Sequence, residues 1–130
     1  IKIQVGSASY LEDKLKMDIK GRDMISGLPK ILTITSDDVT DAIQDELTGI
    51  IAAVKEVLHV TPPELSADVM EKGMILSGGS AQLRNLHVVI SEATGVPAYV
   101  ADDPQLCVVK GTGIALETLE AYKRSILATR

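Results

Sequence analysis

The most informative part of this 130-residue chain is the stretch Gly73-Met74-Ile75-Leu76-Ser77-Gly78-Gly79-Ser80-Ala81-Gln82-Leu83-Arg84. Its apolar residues predict a short buried strand, its paired glycines a tight turn, and the residues behind them the start of a helix. Because glycine has no Cβ, a backbone can come close to a flat ligand or a phosphate there, and a helix start offers free N–H groups. The stretch is typical of a nucleotide-binding loop, although many α/β proteins use such glycines only to turn.

Composition restricts the classes of function. Apolar residues make up 45% of the chain, as in most globular proteins, and its aromatic residues are three tyrosines. The formal net charge of −5 and the shortage of aromatic platforms argue against nucleic-acid binding. A single cysteine, Cys107, allows neither an internal disulfide nor a cysteine zinc site, and its apolar neighbours predict a small core residue. No signal peptide or membrane-length apolar run is visible, which predicts a cytoplasmic protein.

The first 35 residues are expected to form a small β lobe with a sheet of its own. Residues 1–11 are typical of a helix end followed by a loop, and the alternating pattern of 14–20 predicts a half-buried strand. The β-branched residues of 31–35 predict a second strand, antiparallel to the first. The chain starts on an apolar pattern at Ile1 rather than on a methionine, so we expect it to be part of a longer protein.

A long helix is predicted to follow this lobe. Ser36 is a suitable N-cap, and the apolar residues of 37–58 recur at steps of three and four, which indicates one buried stripe with the acidic residues facing solvent. Thr61–Glu64 matches a capping box with proline at the first helical position. A shorter helix should therefore extend from there to about Glu71.

The remaining elements predict that residues 36–130 form an α/β lobe. Its strands are predicted over 74–76 and 96–100 and should share one sheet. Helices over 81–94 and 104–127 should pack against that sheet.

Three further motifs are interpreted as structural. Gly111-Thr112-Gly113 lies in a helical pattern and lacks the ending of a Walker loop, so close helix packing is favoured over phosphate binding. Asp102-Asp103-Pro104 fits a helix start better than a cation site. His59 and His87 belong to different elements, and no metal site or catalytic residue is predicted.

A series of phrases, in order along the chain, carries a resemblance to a known family. They are Gly21-Arg22-Asp23, Ser26-Gly27-Leu28-Pro29-Lys30, Ala53–Leu58, Thr61–Leu65, Gly73–Gly79, Leu83-Arg84, Thr94-Gly95, Ala101–Pro104 and Gly111-Thr112-Gly113. Together they resemble the MreB family of bacterial actin homologues. The match covers essentially the whole chain but only the C-terminal part of the family.

The resemblance implies a fold and a function. The implied fold is the α/β, actin-like ATPase (ribonuclease H-like) type, here a C-terminal part with a small α+β lobe. Residues 1–35 would belong to subdomain IIB and residues 36–130 to the returning half of subdomain IIA, which binds nucleotide. The implied whole protein binds ATP or ADP with Mg²⁺, is a slow ATPase, self-associates into filaments and organises cell-wall synthesis with the cell-shape machinery. Its membrane contact uses parts outside this chain.

The resemblance also implies site residues. Matched position by position, the glycine loop and one lysine near the adenine would contact the nucleotide, through Gly78, Gly79, Ser80, Gln82, Leu83 and Lys2. Ser80 stands where the family has a third glycine, and we expect it to cap the following helix. The phosphate-binding loops, the metal-coordinating aspartate and the water-orienting group belong to the N-terminal portion of the family. This chain alone is therefore not expected to hydrolyse ATP, and its binding of nucleotide by itself stays open.

Two alternatives remain open on the sequence. Hsp70-type chaperones, FtsA-like division proteins and sugar kinases share the strand–Gly-Gly–helix turn, but not the Leu28-Pro29-Lys30 and Thr61–Leu65 phrases. An independent binding module without any nucleotide is the second alternative. Filament pelleting tests the first alternative, and nucleotide titration tests the second.

Overall fold

Two small sheets organise the fold. The computed structural model describes residues 1–119 and Lys123. Within these residues, β1 (Lys16–Arg22) pairs antiparallel with β2 (Pro29–Thr35), and β3 (Met74–Leu76) pairs parallel with β4 (Ala98–Val100). The two pairs form separate sheets, as predicted.

The helices of the described part are α1 (Lys2–Val5), α2 (Ser36–Ala42), α3 (Gln44–Val60), α4 (Pro63–Lys72), α5 (Leu86–Thr94) and α6 (Cys107–Glu117). Short 3₁₀ turns precede α5 and α6, at Gly79–Gln82 and Pro104–Leu106. The helix predicted over 104–127 is thus a 3₁₀ turn followed by α6. Its predicted end falls partly on residues 120–122 and 124–130, which lie outside the described residues.

A tight turn sets the β1–β2 hairpin. The Asp23 carboxylate accepts hydrogen bonds from the backbone N–H groups of Ser26 and Ile25, at 2.9 Å each, and these bonds lower the pKa of Asp23. Gly27, at φ +71°, lets the chain turn back. The strands therefore extend closer to the turn than the sequence predicts.

The helix predicted over 37–58 is two helices. α2 ends at Ala42, α3 begins at Gln44, and Ile43 between them has ψ 6° instead of a helical value. The apolar residues keep their steps of three and four across Ile43, so periodicity alone does not reveal the break. The two halves have different neighbours, since α2 contacts β2 and α1 whereas α3 contacts α5.

Thr35, not Ser36, caps α2. The Thr35 hydroxyl accepts a hydrogen bond from the Asp38 N–H, and the Asp38 carboxylate accepts one from the Thr35 N–H at 2.8 Å, which together form a capping box. The hydrogen bonds from Thr35 lower the pKa of the Asp38 carboxyl. Ser36 is fully buried instead, and its N–H donates to the Leu15 carbonyl.

The capping box predicted at Thr61–Glu64 is wrong. Pro62 holds the N-cap position of α4 with no side-chain cap, and the Thr61 hydroxyl donates backwards to the Val57 carbonyl at 2.7 Å. Proline does occupy the first helical position as predicted, at Pro63. The missing N–H of that proline is one that a helix start would leave unpaired anyway.

Two side-chain contacts join the acidic face of α2 to the segment that follows α1. The Lys14 ammonium lies 2.6 Å from the Asp37 carboxylate, and the Tyr10 hydroxyl donates to Asp41. The hydrogen bond to Asp41 raises the pKa of Tyr10, because the ionised phenol would lose that bond beside a negative charge. These contacts hold residues 10–14 against the helix.

The core is small and aliphatic, and lies between α3, α5 and β4. Its buried residues are Ala8, Leu47, Leu86, Ile90 and Ala98. In α6, a Cβ at Gly111 or Gly113 would meet no described atom within 4 Å, so the close packing predicted for these glycines is wrong. Cys107, at the start of the same helix, is half-buried.

Thr40→Val is expected to destabilise the protein by about 1–3 kcal/mol. The Thr40 hydroxyl is buried and lies 3.0 Å from the carbonyl oxygens of Ser7 and Ser36, so valine removes a donor from an interior site. Denaturant unfolding measures the effect. Thr48→Val is the control, since the Thr48 hydroxyl makes a similar bond to its own helix on an exposed face. Equal losses in both variants would contradict the importance of the buried contact.

Candidate functional site

The N-terminal helix and the glycine loop meet at one pocket. A cavity of about 520 Å³ lies between α1 and the 3₁₀ turn that follows β3. The structure brings together four of the six site residues implied by the family resemblance, while Gly78 and Ser80 do not line the cavity. The lining residues are Lys2, Ile3, Gly6, Gly79, Gln82, Leu83, Arg84 and Gln105.

A short backbone contact places the N-terminal segment beside the glycine loop. Ser7 forms a parallel β-bridge with Arg84, and the Ala8 N–H donates to the Arg84 carbonyl at 2.8 Å. The Asn85 side-chain amide donates to the Ser9 hydroxyl at 3.0 Å. Because α1 directly precedes this contact, its residues reach the cavity.

Gly6 fixes the end of α1. Its N–H donates to the Lys2 carbonyl at 3.0 Å, and a Cβ at this position would lie only 2.2 Å from the same oxygen. Any other residue would have to displace the helix that carries Lys2. In the sequence, Gly6 directly follows an apolar helical pattern. The sequence analysis did not predict from this pattern that Gly6 belongs to the site.

The two glycines of the loop have different roles. Gly78 has φ +88° and ψ 170°, a conformation that is essentially confined to glycine, and its N–H donates to the Pro104 carbonyl at 2.7 Å. Gly79 has no positive φ, and a Cβ there would lie 3.9 Å from the Gln105 side chain. Gly78 therefore makes the turn, and Gly79 leaves space in the cavity.

The helix predicted over 81–94 begins later, at Leu86, because the chain leaves helical geometry to meet the N-terminal segment. Leu83 is extended and Asn85 is left-handed, with φ +61°. The expected cap by Ser80 is also wrong, since Ser80 lies inside the 3₁₀ turn and that turn has no side-chain cap. The bend contacts Ser7 and Ala8, which are distant in the sequence, so local patterns did not predict the bend.

Sequence reasoning missed four of the lining residues, namely Ile3, Gly6, Arg84 and Gln105, and Gln105 is the one with a side-chain partner across the wall. Its Nε2 donates to the Gln82 Oε1 at 2.8 Å across the cavity wall. Asp103 just before it is left-handed, at φ +47°, and pairs with Lys110; this pairing lowers the pKa of Asp103 and raises that of Lys110. The available signal was a lone polar residue between Pro104 and Leu106.

The chemistry of the cavity wall suits a polar, anionic ligand. Lys2 and Arg84 contribute positive charge, Gln82 and Gln105 contribute amides, and none of the described lining residues carries a carboxylate. Within residues 1–119 and Lys123, no group of three or more histidine, cysteine or acidic side chains could hold a metal ion. The arrangement can bind and orient a ligand.

No helix in the part of the chain that the structure describes has the length and apolar character needed to cross a membrane.

The fold defines the class of protein as actin-like. Two solved structures superpose on the chain, both of MreB5 from Spiroplasma citri, one described as bound to ADP and one as bound to AMPPNP. Their TM-scores are 0.86 and 0.84, each at 33% identity over 95% of this chain and 37% of theirs. The predicted α/β, actin-like fold class is confirmed.

The chain belongs to the MreB/Mbl family, whose model matches residues 1–124. It is 42% identical over 122 residues to the cell shape-determining protein MreB of Escherichia coli K12, and 41% identical over 128 residues to the cell shape-determining protein Mbl of Bacillus subtilis. These matches cover 94% and 98% of this chain but 35% and 38% of the relatives. The chain thus spans little more than a third of their length.

Proposed function

We propose that this chain supplies one wall of the nucleotide site in a bacterial actin-like protein that forms filaments and maintains rod cell shape. The observation that carries the proposal is the cavity in which Lys2 faces Gly79, Gln82 and Leu83. The nucleotides bound to the Spiroplasma citri relative support a nucleotide as the ligand. In this proposal Gly78 shapes the turn and Ser80 stands beside the cavity.

The proposed organisation divides the chain into two lobes. Residues 1–35 form part of subdomain IIB, and residues 36–130 form the returning half of subdomain IIA. The separate sheets support this division, and the Ser7–Arg84 bridge explains how residues of the first lobe reach a cavity of the second. Mg²⁺ is proposed to enter with ATP or ADP and to be held by residues outside this chain.

Self-association into filaments is proposed from the surface of the hairpin. Met24 and Ile25 at its tip are 96% and 100% exposed, and exposed apolar groups of this kind favour contact with another protein surface. Residues 14–35 carry five basic and two acidic residues, whereas the whole chain has a net charge of −5. A basic hairpin with an apolar tip suits the acidic remainder of a neighbouring copy. The proposed filaments are cytoplasmic and recruit the machinery of cell-wall synthesis.

The proposed function is tested on the full-length protein that carries this chain. Calorimetric titration with ATP should show binding, and sedimentation with ATP should pellet the protein above a critical concentration. Binding without pelleting would favour a non-filament member of the superfamily. Neither binding nor pelleting would favour a binding module without nucleotide.

This chain alone should show no ATPase activity. Phosphoryl transfer needs a magnesium-bound phosphate clamp and a positioned water, and no motif of this sequence supplies either. Phosphate release by the purified 130 residues is the measurement, with the full-length protein as the positive control. Turnover that follows these residues through successive purification steps would contradict the expectation.

A further inference from the structure

A buried hydroxyl group joins the N-terminal segment to α2. Among the described residues, the buried polar side chains are those of Ser7, Ser36 and Thr40, and the three residues lie together. The Thr40 Oγ1 lies 3.0 Å from the Ser7 carbonyl oxygen and 3.0 Å from the Ser36 carbonyl oxygen. A hydroxyl has one proton to donate, so the two carbonyls compete for it. Thr40 therefore has two alternative hydrogen bonds of equal length, one within α2 and one to a segment 33 residues away in the sequence.

One of the two acceptors lies at the edge of the cavity. Ser7 directly follows Gly6, which lines the cavity, and its β-bridge partner Arg84 lines the cavity from the side of the glycine loop. A ligand that contacts both Lys2 and the glycine loop holds the two walls together, and it thereby also holds the Ser7 carbonyl in place. A hydrogen bond to an acceptor that is already held costs less conformational entropy. An occupied cavity therefore favours the bond from Thr40 to Ser7 over the bond within α2.

The opposite side of α2 carries the hairpin of β1 and β2. The Ser36 N–H donates to the Leu15 carbonyl at 2.9 Å, and the Lys14 ammonium lies 2.6 Å from the Asp37 carboxylate. Both contacts join α2 to the residues that lead into β1, while β2 runs directly into α2. At its other end, α2 is separated from α3 by the break at Ile43. The hairpin and α2 therefore form one unit, called here the hairpin unit, that can shift without displacing α3.

We propose that the Thr40 hydroxyl couples occupancy of the cavity to the position of the hairpin unit. This inference rests on the proposed nucleotide-binding function, which supplies the ligand. With nucleotide bound, the hydroxyl donates to the Ser7 carbonyl and joins the hairpin unit to the cavity wall. With the cavity empty, it donates to the Ser36 carbonyl in its own helix, and the hairpin unit keeps only its remaining contacts. One donor with two acceptors supplies the two-state element that such coupling requires. Thr40 is thus a positioning residue that contacts no ligand itself.

Hydrogen–deuterium exchange of the full-length protein, with and without ATP, tests this coupling. ATP should slow the exchange of residues 36–43 about fivefold more than that of residues 50–60 in α3, the effect of one hydrogen bond between neutral groups. In Thr40→Val this extra protection should vanish, while ATP still protects residues 7–9 beside the cavity. Thr40→Ser keeps the hydroxyl and should retain the extra protection. Thr48→Val is the matched control and should also retain it, because the Thr48 hydroxyl donates to the Gln44 carbonyl within α3, at 2.9 Å, and not to the N-terminal segment.

The outcomes separate this inference from the proposed function. If ATP binds the wild-type protein but protects residues 36–43 no more than α3, the inference is overturned without any variant, so it is testable even if Thr40→Val fails to fold. Extra protection that persists in Thr40→Val, or that Thr40→Ser loses to the same extent, also overturns it, because the hydroxyl would then not be the link. Absence of ATP binding to the wild-type protein by calorimetry would overturn the proposed function itself.

Discussion

Gly79→Val in the full-length protein should weaken ATP binding by more than about tenfold and leave thermal unfolding nearly unchanged. Gly79 lines the cavity, and a Cβ at this position already lies 3.9 Å from the Gln105 side chain. The two methyl groups of valine would occupy space that the proposed ligand needs. Since Gly79 has no positive φ, valine meets no left-handed backbone there, whereas Gly78 has φ +88°.

Variants at the two neighbouring positions show why Gly79→Val weakens ATP binding. The cause is either occupation of the ligand's space or disruption of the turn. Gly78→Val should lower stability, because Gly78 has φ +88°. Ser80→Ala should change stability and ATP affinity little, since Ser80 is exposed and caps no helix. If Gly79→Val unfolds as readily as Gly78→Val, the loop is structural. If it binds ATP normally by calorimetry, the nucleotide assignment of the cavity is wrong.

The sequence predicts those parts of the fold that depend on local residues. The strand Met74–Leu76 is found as predicted because a short apolar run is bounded by glycine on one side and by the Ser77-Gly78 turn on the other. The antiparallel hairpin is likewise found, because alternation and turn residues are local signals. The break at Ile43 was missed, since apolar periodicity continues through it.

The site was only partly predictable, because its assembly depends on distant contacts. The glycines could be recognised from their own chemistry, and Lys2 only from the family resemblance. The bridge between Ser7 and Arg84, which joins them, has no local pattern. Gln105 was missed for the same reason. It is placed in the site by its hydrogen bond to Gln82, which is distant in the sequence, and its sequence neighbours give no indication of that contact.

Gly73→Ala should cost about 2–4 kcal/mol of stability. Gly73 ends α4 and begins the turn into β3, with φ +80° and ψ −174°. A Cβ there would lie 2.6 Å from the Pro97 carbonyl oxygen and 2.8 Å from the Tyr99 ring. The Pro97 carbonyl accepts the hydrogen bond from Met74 N–H, so the added methyl would push β3 and β4 apart at the strand pair that leads into the glycine loop.

Substitutions at two other glycines separate the steric clash at Gly73 from its backbone strain. All three variants are measured by denaturant unfolding of the same protein. Gly95→Ala adds a Cβ at φ +73° where, its chain neighbours aside, no described atom lies within 4 Å, so it should cost only the backbone strain, about 1 kcal/mol. Gly49→Ala lies in α3 in open space and should instead stabilise the helix by about 1 kcal/mol. If Gly73→Ala costs no more than Gly95→Ala, the strand pair tolerates the methyl group, and close backbone approach is not what requires glycine at this position. A larger loss together with weaker ATP binding would show that the β3–β4 pair supports the glycine loop.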